Sequence, residues 1–112
     1  MSTSTRNVDF YDDLRKRLED IEFKGEFGTE LAKADLGIAL AEARHAAGLT
    51  QAALAELVGV RQSYIAKLEG GEANPTIGTL GKILAILGKR LIFSFGNLPD
   101  KTTTTGVYTP TS

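Results

Sequence analysis

QAALAELVGVRQSYIAKLEGG, residues 51–71, reads as two short helices joined by a tight turn. Gln51, Ala52, Leu54, Ala55, Leu57 and Val58 belong to the first. Gly59 and Val60 make the corner, Gln62 to Glu69 form the second helix, and Gly70-Gly71 stops it. Ala55 falls where the second helix would cross closest, so a small side chain is wanted there. Gly59 falls just past the last turn of the first helix, where a left-handed backbone is easiest without a Cβ. Leu54, Val58, Val60, Ile65 and Leu68 are the apolar positions that would clip the pair together and onto a third helix.

Such a unit is a helix-turn-helix, whose second helix can enter a DNA major groove. The plain alternative is a helical hairpin in any bundle. The apolar, small and glycine positions all fall in register, which favours the first reading.

Outward from this stretch, Leu31 to Ala47 is expected to be a helix with Leu36, Leu40, Ala43 and Ala47 on one face. Gly48 would end it, with Arg44 and His45 near the C-terminal end, where cations suit the macrodipole. Thr50 is the expected N-cap of the next helix. His45, the lone histidine, has no acid or nucleophile pattern beside it and reads as a surface residue.

On the other side, Glu72-Ala73-Asn74-Pro75 is a loop, because Pro75 disfavours helix at Asn74. Thr76 would cap a helix reaching Leu87, with Ile77, Leu80, Ile83, Leu84 and Leu87 on its apolar face, and Gly88 would stop it. The period then changes. RLIFSF, residues 90–95, alternates Leu91, Phe93 and Phe95 and is expected to be a β-strand. One strand in a helical domain leaves its ladder groups unpaired. Pairing with the same strand of a second copy solves this and gives a two-fold dimer through Leu91, Ile92, Phe93 and Phe95. The alternative is an extended tail lying along its own domain. The final KTTTTGVYTPTS has little to build a core from, although Val107 and Tyr108 offer two apolar groups for docking.

Ahead of the domain, Met1–Asn7 is polar and expected to be disordered, and Asp9 can cap a helix that follows. Phe10, Leu14, Leu18 and Ile21 make an apolar stripe on an amphipathic helix otherwise rich in charge. The pairs Asp13–Arg17, Arg15–Glu19 and Lys16–Asp20 support it at i,i+4. This stripe packs on the domain's own core or binds another protein. In EFKGEFGTE, residues 22–30, two interior glycines at about 1 kcal/mol each against alanine suggest a joint. Phe23 and Phe27 there are further apolar anchors.

The 112 residues suit one domain plus extensions. The absence of cysteine excludes disulfides and thiolate metal sites, and one histidine cannot make a multi-His zinc site. No apolar run approaches the roughly 20 residues of a membrane helix. The opening MSTSTRNVDF lacks a signal peptide's apolar core, so a cytoplasmic protein is expected. The net charge is −1, unevenly distributed. Residues 1–35 hold nine acids and six bases, and residues 36–112 hold five acids and seven bases. The half with the helix-turn-helix is mildly basic, and local sign is what phosphates feel within a Debye length. No phosphate loop, HExxH or Gly-x-Ser-x-Gly elbow occurs, so no catalytic residue, metal or cofactor is expected.

Residues 36–88 resemble the Cro/repressor-type, or XRE, helix-turn-helix family. The resemblance is carried by GLTQAALA, the corner Gly59, the Ile65–Leu68–Glu69–x–Gly71 ending and NPTIGTL. It implies a mainly α, lambda-repressor-like bundle, usually a homodimer on a palindromic operator in double-stranded DNA. The strand at KRLIFSF and the acidic striped extension resemble antitoxins of the HipB and HigA kinds. That implies a type II antitoxin that represses its own operon and binds a cognate toxin.

Carried over by position, Gln51 would bond a phosphate, while Arg61, Gln62 and Ser63 would face base edges. Lys67 would reach a base or phosphate, and Tyr64 the backbone or a thymine methyl. Arg61 stands where this family often has a serine or threonine cap. That exchange weakens capping by about 1 kcal/mol and adds a charged reader. The expected organisation is a partner-binding extension at 1–30 (Phe10, Leu14, Leu18, Ile21, Phe23 and Phe27), a DNA-binding domain at 31–88, a dimerisation strand at 89–96 and a tail at 97–112. The alternatives are an autonomous phage-type or bacterial repressor without a toxin, and a protein-interaction module that uses this fold without DNA.

Overall fold

A computed structural model describes the backbone of residues 2–99 and the side chains of residues 9–99. It contains four helices among those residues: α1 Ser2–Ala46, α2 Gln51–Val58, α3 Gln62–Glu69 and α4 Ile77–Ile86. The second half of α1 packs with α2, α3 and α4 into a small bundle. The first half projects from it, giving a molecule of 71 × 28 × 22 Å.

The bundle follows the local signals. Thr50 caps α2 by accepting from the Ala53 N–H at 3.0 Å, and Thr76 caps α4 by accepting from the Thr79 N–H at 3.1 Å. Gly59 closes α2 at φ 86°, in the left-handed region reserved for residues without a Cβ. The end of α3 is a two-bond reversal. The Glu72 N–H bonds the Lys67 carbonyl at 2.8 Å and the Gly71 N–H bonds the Leu68 carbonyl at 3.2 Å. Leu40, Leu54, Ala55, Val58, Ile65, Leu68, Ile83 and Leu87 form the buried core, with Val60, Ala43 and Leu84 packed against it. Each large side chain buried there contributes about 1.5–3 kcal/mol. Two residues expected on apolar faces, Ala47 and Ile77, are exposed.

Backbone approaches backbone closely at Gly37. A Cβ there would lie 2.5 Å from the Glu69 carbonyl oxygen and 2.7 Å from that of Leu68. The absence of a side chain lets α1 rest directly on the end of α3.

Three expectations are corrected. The helix expected from Asp9 and the one expected from Leu31 are one continuous helix, with Asp9 inside it and no joint at 22–30. The glycines cost about 2 kcal/mol together, but breaking a helix forfeits cooperative propagation and requires a second nucleation. Local pairs also span the segment: Asp20–Lys24 at 3.5 Å, stacked Phe23–Phe27 rings at 5.9 Å, and the Thr29 hydroxyl donating to the Gly25 carbonyl at 3.0 Å. The opening residues expected to be disordered are helical in backbone from Ser2. The β-strand at 90–95 is absent among the described residues, where 89–99 carries no regular structure. The described residues offer that segment no second strand to complete a ladder. Residues 94–99 instead lie back along α1, lining an open cleft with Gly28, Leu31 and Asp35. Val107 and Tyr108 lie outside the described residues.

Candidate nucleic-acid interface

In α3 the buried positions are Ile65 and Leu68, with Tyr64 half-buried against the core. Gln62, Ser63, Ala66 and Lys67 therefore share the opposite, exposed face, because residues four apart stack one above the other. Arg61 precedes them in an extended conformation (φ −77°, ψ 148°) and makes no side-chain cap bond. Its guanidinium is left for another partner at the helix's leading end. The structure thus brings Arg61, Gln62, Ser63 and Lys67 together on one outward surface. It gives Tyr64 a packing role and leaves His45 exposed, with its Nε2 3.4 Å from Arg44 Nη2.

Gln51 behaves differently from the others. It is half-buried, and its Nε2 donates to Glu69 Oε1 at 3.1 Å. Glu69 is also held by Arg44, with Nε to Oε2 at 2.6 Å and Nη2 to Oε1 at 2.9 Å. Arg44 Nη1 donates to the Leu49 carbonyl at 2.8 Å. Both side chains of the pair are 8% exposed. The Arg44 hydrogen bond holds the Glu69 carboxyl below its ordinary range against the opposing effect of burial, and the Gln51 bond adds to this. The same bond pushes the Arg44 guanidinium above its ordinary range.

The network fixes the start of α2 against the end of α3. It also neutralises the acid in α3, so the charges α3 and its cap turn outward are those of Arg61 and Lys67. Sequence reasoning placed Glu69 only within a motif and gave Arg44 only a helix-end role. Their separation of 25 residues carries no periodic signal; an acid beside the buried Leu68 was the one available hint.

Among the described residues there is no group of three or more His, Cys, Asp or Glu side chains that could hold a metal ion. No helix there is long and apolar enough to cross a membrane.

The chain's relatives agree with this geometry. The HTH_3 helix-turn-helix family model matches residues 40–93. An uncharacterized HTH-type transcriptional regulator of Haemophilus influenzae is 41% identical over 66 residues, covering 55% of this chain and 67% of that protein. Among solved structures, an HTH_3 family transcriptional regulator from Vibrio cholerae is 34% identical with a TM-score of 0.52, over 55% of this chain and 34% of that one. HppE in its apo form is 30% identical with a TM-score of 0.50, over 52% of this chain and 33% of its own. The chain therefore spans about a third of those two solved chains. The matched run, the two capping threonines, the Gly59 corner and the Haemophilus relative agree: the chain belongs to the HTH_3, or XRE-type, helix-turn-helix family.

Proposed function

We propose that the chain is a sequence-specific DNA-binding transcriptional repressor, acting as a dimer in the cytoplasm, and the antitoxin of a type II toxin–antitoxin pair. The observation that carries DNA binding is the outward face of α3. Polar and cationic side chains at Arg61, Gln62, Ser63 and Lys67 are exposed on a helix fixed from behind by Ile65, Leu68 and Glu69. Arginine matches guanine O6 and N7, and glutamine matches adenine N6 and N7. Gln51, held by Glu69, and the half-buried Tyr64 are assigned to the phosphate backbone.

The regulators among its relatives support the same reading. The dimer is supported by the apolar segment at 91–95, where Leu91 is half-buried and Ile92, Phe93 and Phe95 are exposed. The antitoxin role is supported by α1, whose Phe10, Leu14, Leu18, Ile21 and Phe23 stand in solvent rather than in the core. Phe23 and the half-buried Phe27 fall on the side of this helix away from Phe10, Leu14, Leu18 and Ile21, so the extension offers two apolar faces, one of them to the cognate toxin.

The test is a gel shift with the duplex upstream of the chain's own coding region, at two salt concentrations, beside a scrambled duplex. A specific complex that weakens with salt is expected; its absence would overturn the repressor reading. Co-purification of the neighbouring gene's product with the full chain, lost on changing Phe23 and Phe27 to serine, tests the antitoxin role.

A further inference from the structure

The projecting half of α1 carries a repeat that a stripe of steps of four does not describe. Tyr11, Leu14, Leu18, Ile21, Gly25, Gly28 and Ala32 recur strictly at three and four, a spacing of 3.5 residues. That is the period of a left-handed coiled coil and not of a helix lying on a globular core. The four large members are all exposed, Leu18 at 57% and Ile21 at 65%. The two glycines face open space: a Cβ on either would meet nothing within 4 Å.

We propose that the projecting half of α1 is covered by the same segment of a second copy, in parallel and in register. The charges flanking the seam choose this occupant and its direction. With Tyr11 and Leu18 at one seam position and Leu14 and Ile21 at the other, Arg17 and Lys24 flank one side, and Arg15 and Glu22 the other. In a parallel pair, Arg17 of each copy faces Glu22 of the other, giving two opposite-charge contacts about the two-fold axis. An antiparallel pair would set Arg17 against Lys24, and this repulsion would offset the Arg15–Glu22 attraction on its other flank. Arg17 also holds Asp13 one turn back at 3.0 Å, and its forked guanidinium has donors for both acids.

Gly25 continues the seam toward the bundle and lets the two helices draw together there, short of Gly28, which lines the cleft with residues 94–99. Phe10, Phe23 and Phe27 fall off the seam. The pairing therefore assigns Leu14, Leu18 and Ile21 to the second copy and leaves the face of Phe23 and Phe27 to the cognate partner. Two apolar heptads are short for an independent coil. Joining two bundles at 91–95 raises their effective concentration, so this inference deepens the dimer proposed above.

The natural chain has no cysteine, so one introduced thiol reports on one position. Ile21→Cys and, on the opposite outward face, Lys16→Cys are made in the full chain and oxidised mildly, with helix content checked by circular dichroism. The expected result is a disulfide dimer for Ile21→Cys at least tenfold faster than for Lys16→Cys. Adding Arg17→Glu or Glu22→Arg to Ile21→Cys slows cross-linking, and mixing the two charge variants restores it. Equal rates at positions 16 and 21, or charge variants that mixing does not rescue, would overturn the parallel pairing. DNA binding by the uncross-linked protein is a separate readout, so failure here and failure of the repressor reading are distinguishable.

Discussion

Arg44 and Glu69 meet through two hydrogen bonds, 2.6 and 2.9 Å long, and tie the end of α1 to the end of α3. Gln51, at the start of α2, donates to the same carboxylate. One ion pair therefore sets the angle at which the exposed face of α3 is presented. Removing one partner leaves a buried charge without compensation. Glu69→Ala is expected to lower stability by about 3–5 kcal/mol in urea unfolding. The Arg44→Met/Glu69→Leu double variant should lose much less than the sum of the single changes. Additive losses would show that the pair does not act as a unit.

The same pair gives stability a pH dependence of definite sign. The Glu69 carboxyl is lowered in the fold, chiefly by the Arg44 hydrogen bond. As pH falls, the unfolded chain takes up this proton first, near the ordinary value of about 4.3. The stabilisation is therefore complete above that value and is lost as pH drops through it toward the lower folded one. Unfolding midpoints between pH 7 and 3 should fall for the natural chain, and Glu69→Gln should remove part of that slope. An unchanged slope in Glu69→Gln would assign the acid sensitivity to other carboxylates.

Glycines in α1 should respond in opposite ways. Gly37→Ala places a Cβ against the Glu69 and Leu68 carbonyls, where backbone must move. It should destabilise the bundle and disturb the Arg44–Glu69–Gln51 network. Gly25→Ala meets nothing within 4 Å and should stabilise α1 by about 1 kcal/mol. Thermal unfolding followed by circular dichroism at 222 nm separates the two outcomes.

Arg61 exchanges a helix cap for a charge. Arg61→Ser should raise stability by about 1 kcal/mol, through a hydroxyl able to accept from the Tyr64 N–H. Arg61→Ala should weaken specific DNA binding by about 1–3 kcal/mol and relax preference at one base pair. If binding to specific and random duplexes fell equally, Arg61 would be a phosphate contact.

These positions show what sequence could and could not reveal. Thr50, Thr76 and Gly59 were legible because a cap or a left-handed turn is decided within four residues. Leu54, Val58, Ile65 and Leu68 were legible because periodicity selects the buried face. Gly37 and the Arg44–Glu69 pair were not, since their roles exist only once α1 lies on α3. The continuity of α1 was missed by weighing Gly25 and Gly28 one at a time against alanine, when a helix is lost or kept as a cooperative unit. Residues 90–95 have a strand's alternation, but no strand occurs among the described residues to pair with them. Arg61, Gln62, Ser63 and Lys67 are exposed at the leading end and outer face of α3, as periodicity requires once Ile65 and Leu68 are buried. Gln51 did not stand free, because its amide is held by an acid 18 residues away.

The central claim is that the exposed face of α3 reads DNA sequence. The most direct measurement is selection of bound duplexes from a random pool by the full chain, repeated with Gln62→Ala/Lys67→Ala. A palindromic motif with half-sites about one helical turn, ~34 Å, apart should be enriched, and the double variant should lose that enrichment. A natural chain that enriches no motif, or a double variant that enriches the same one equally well, would contradict it.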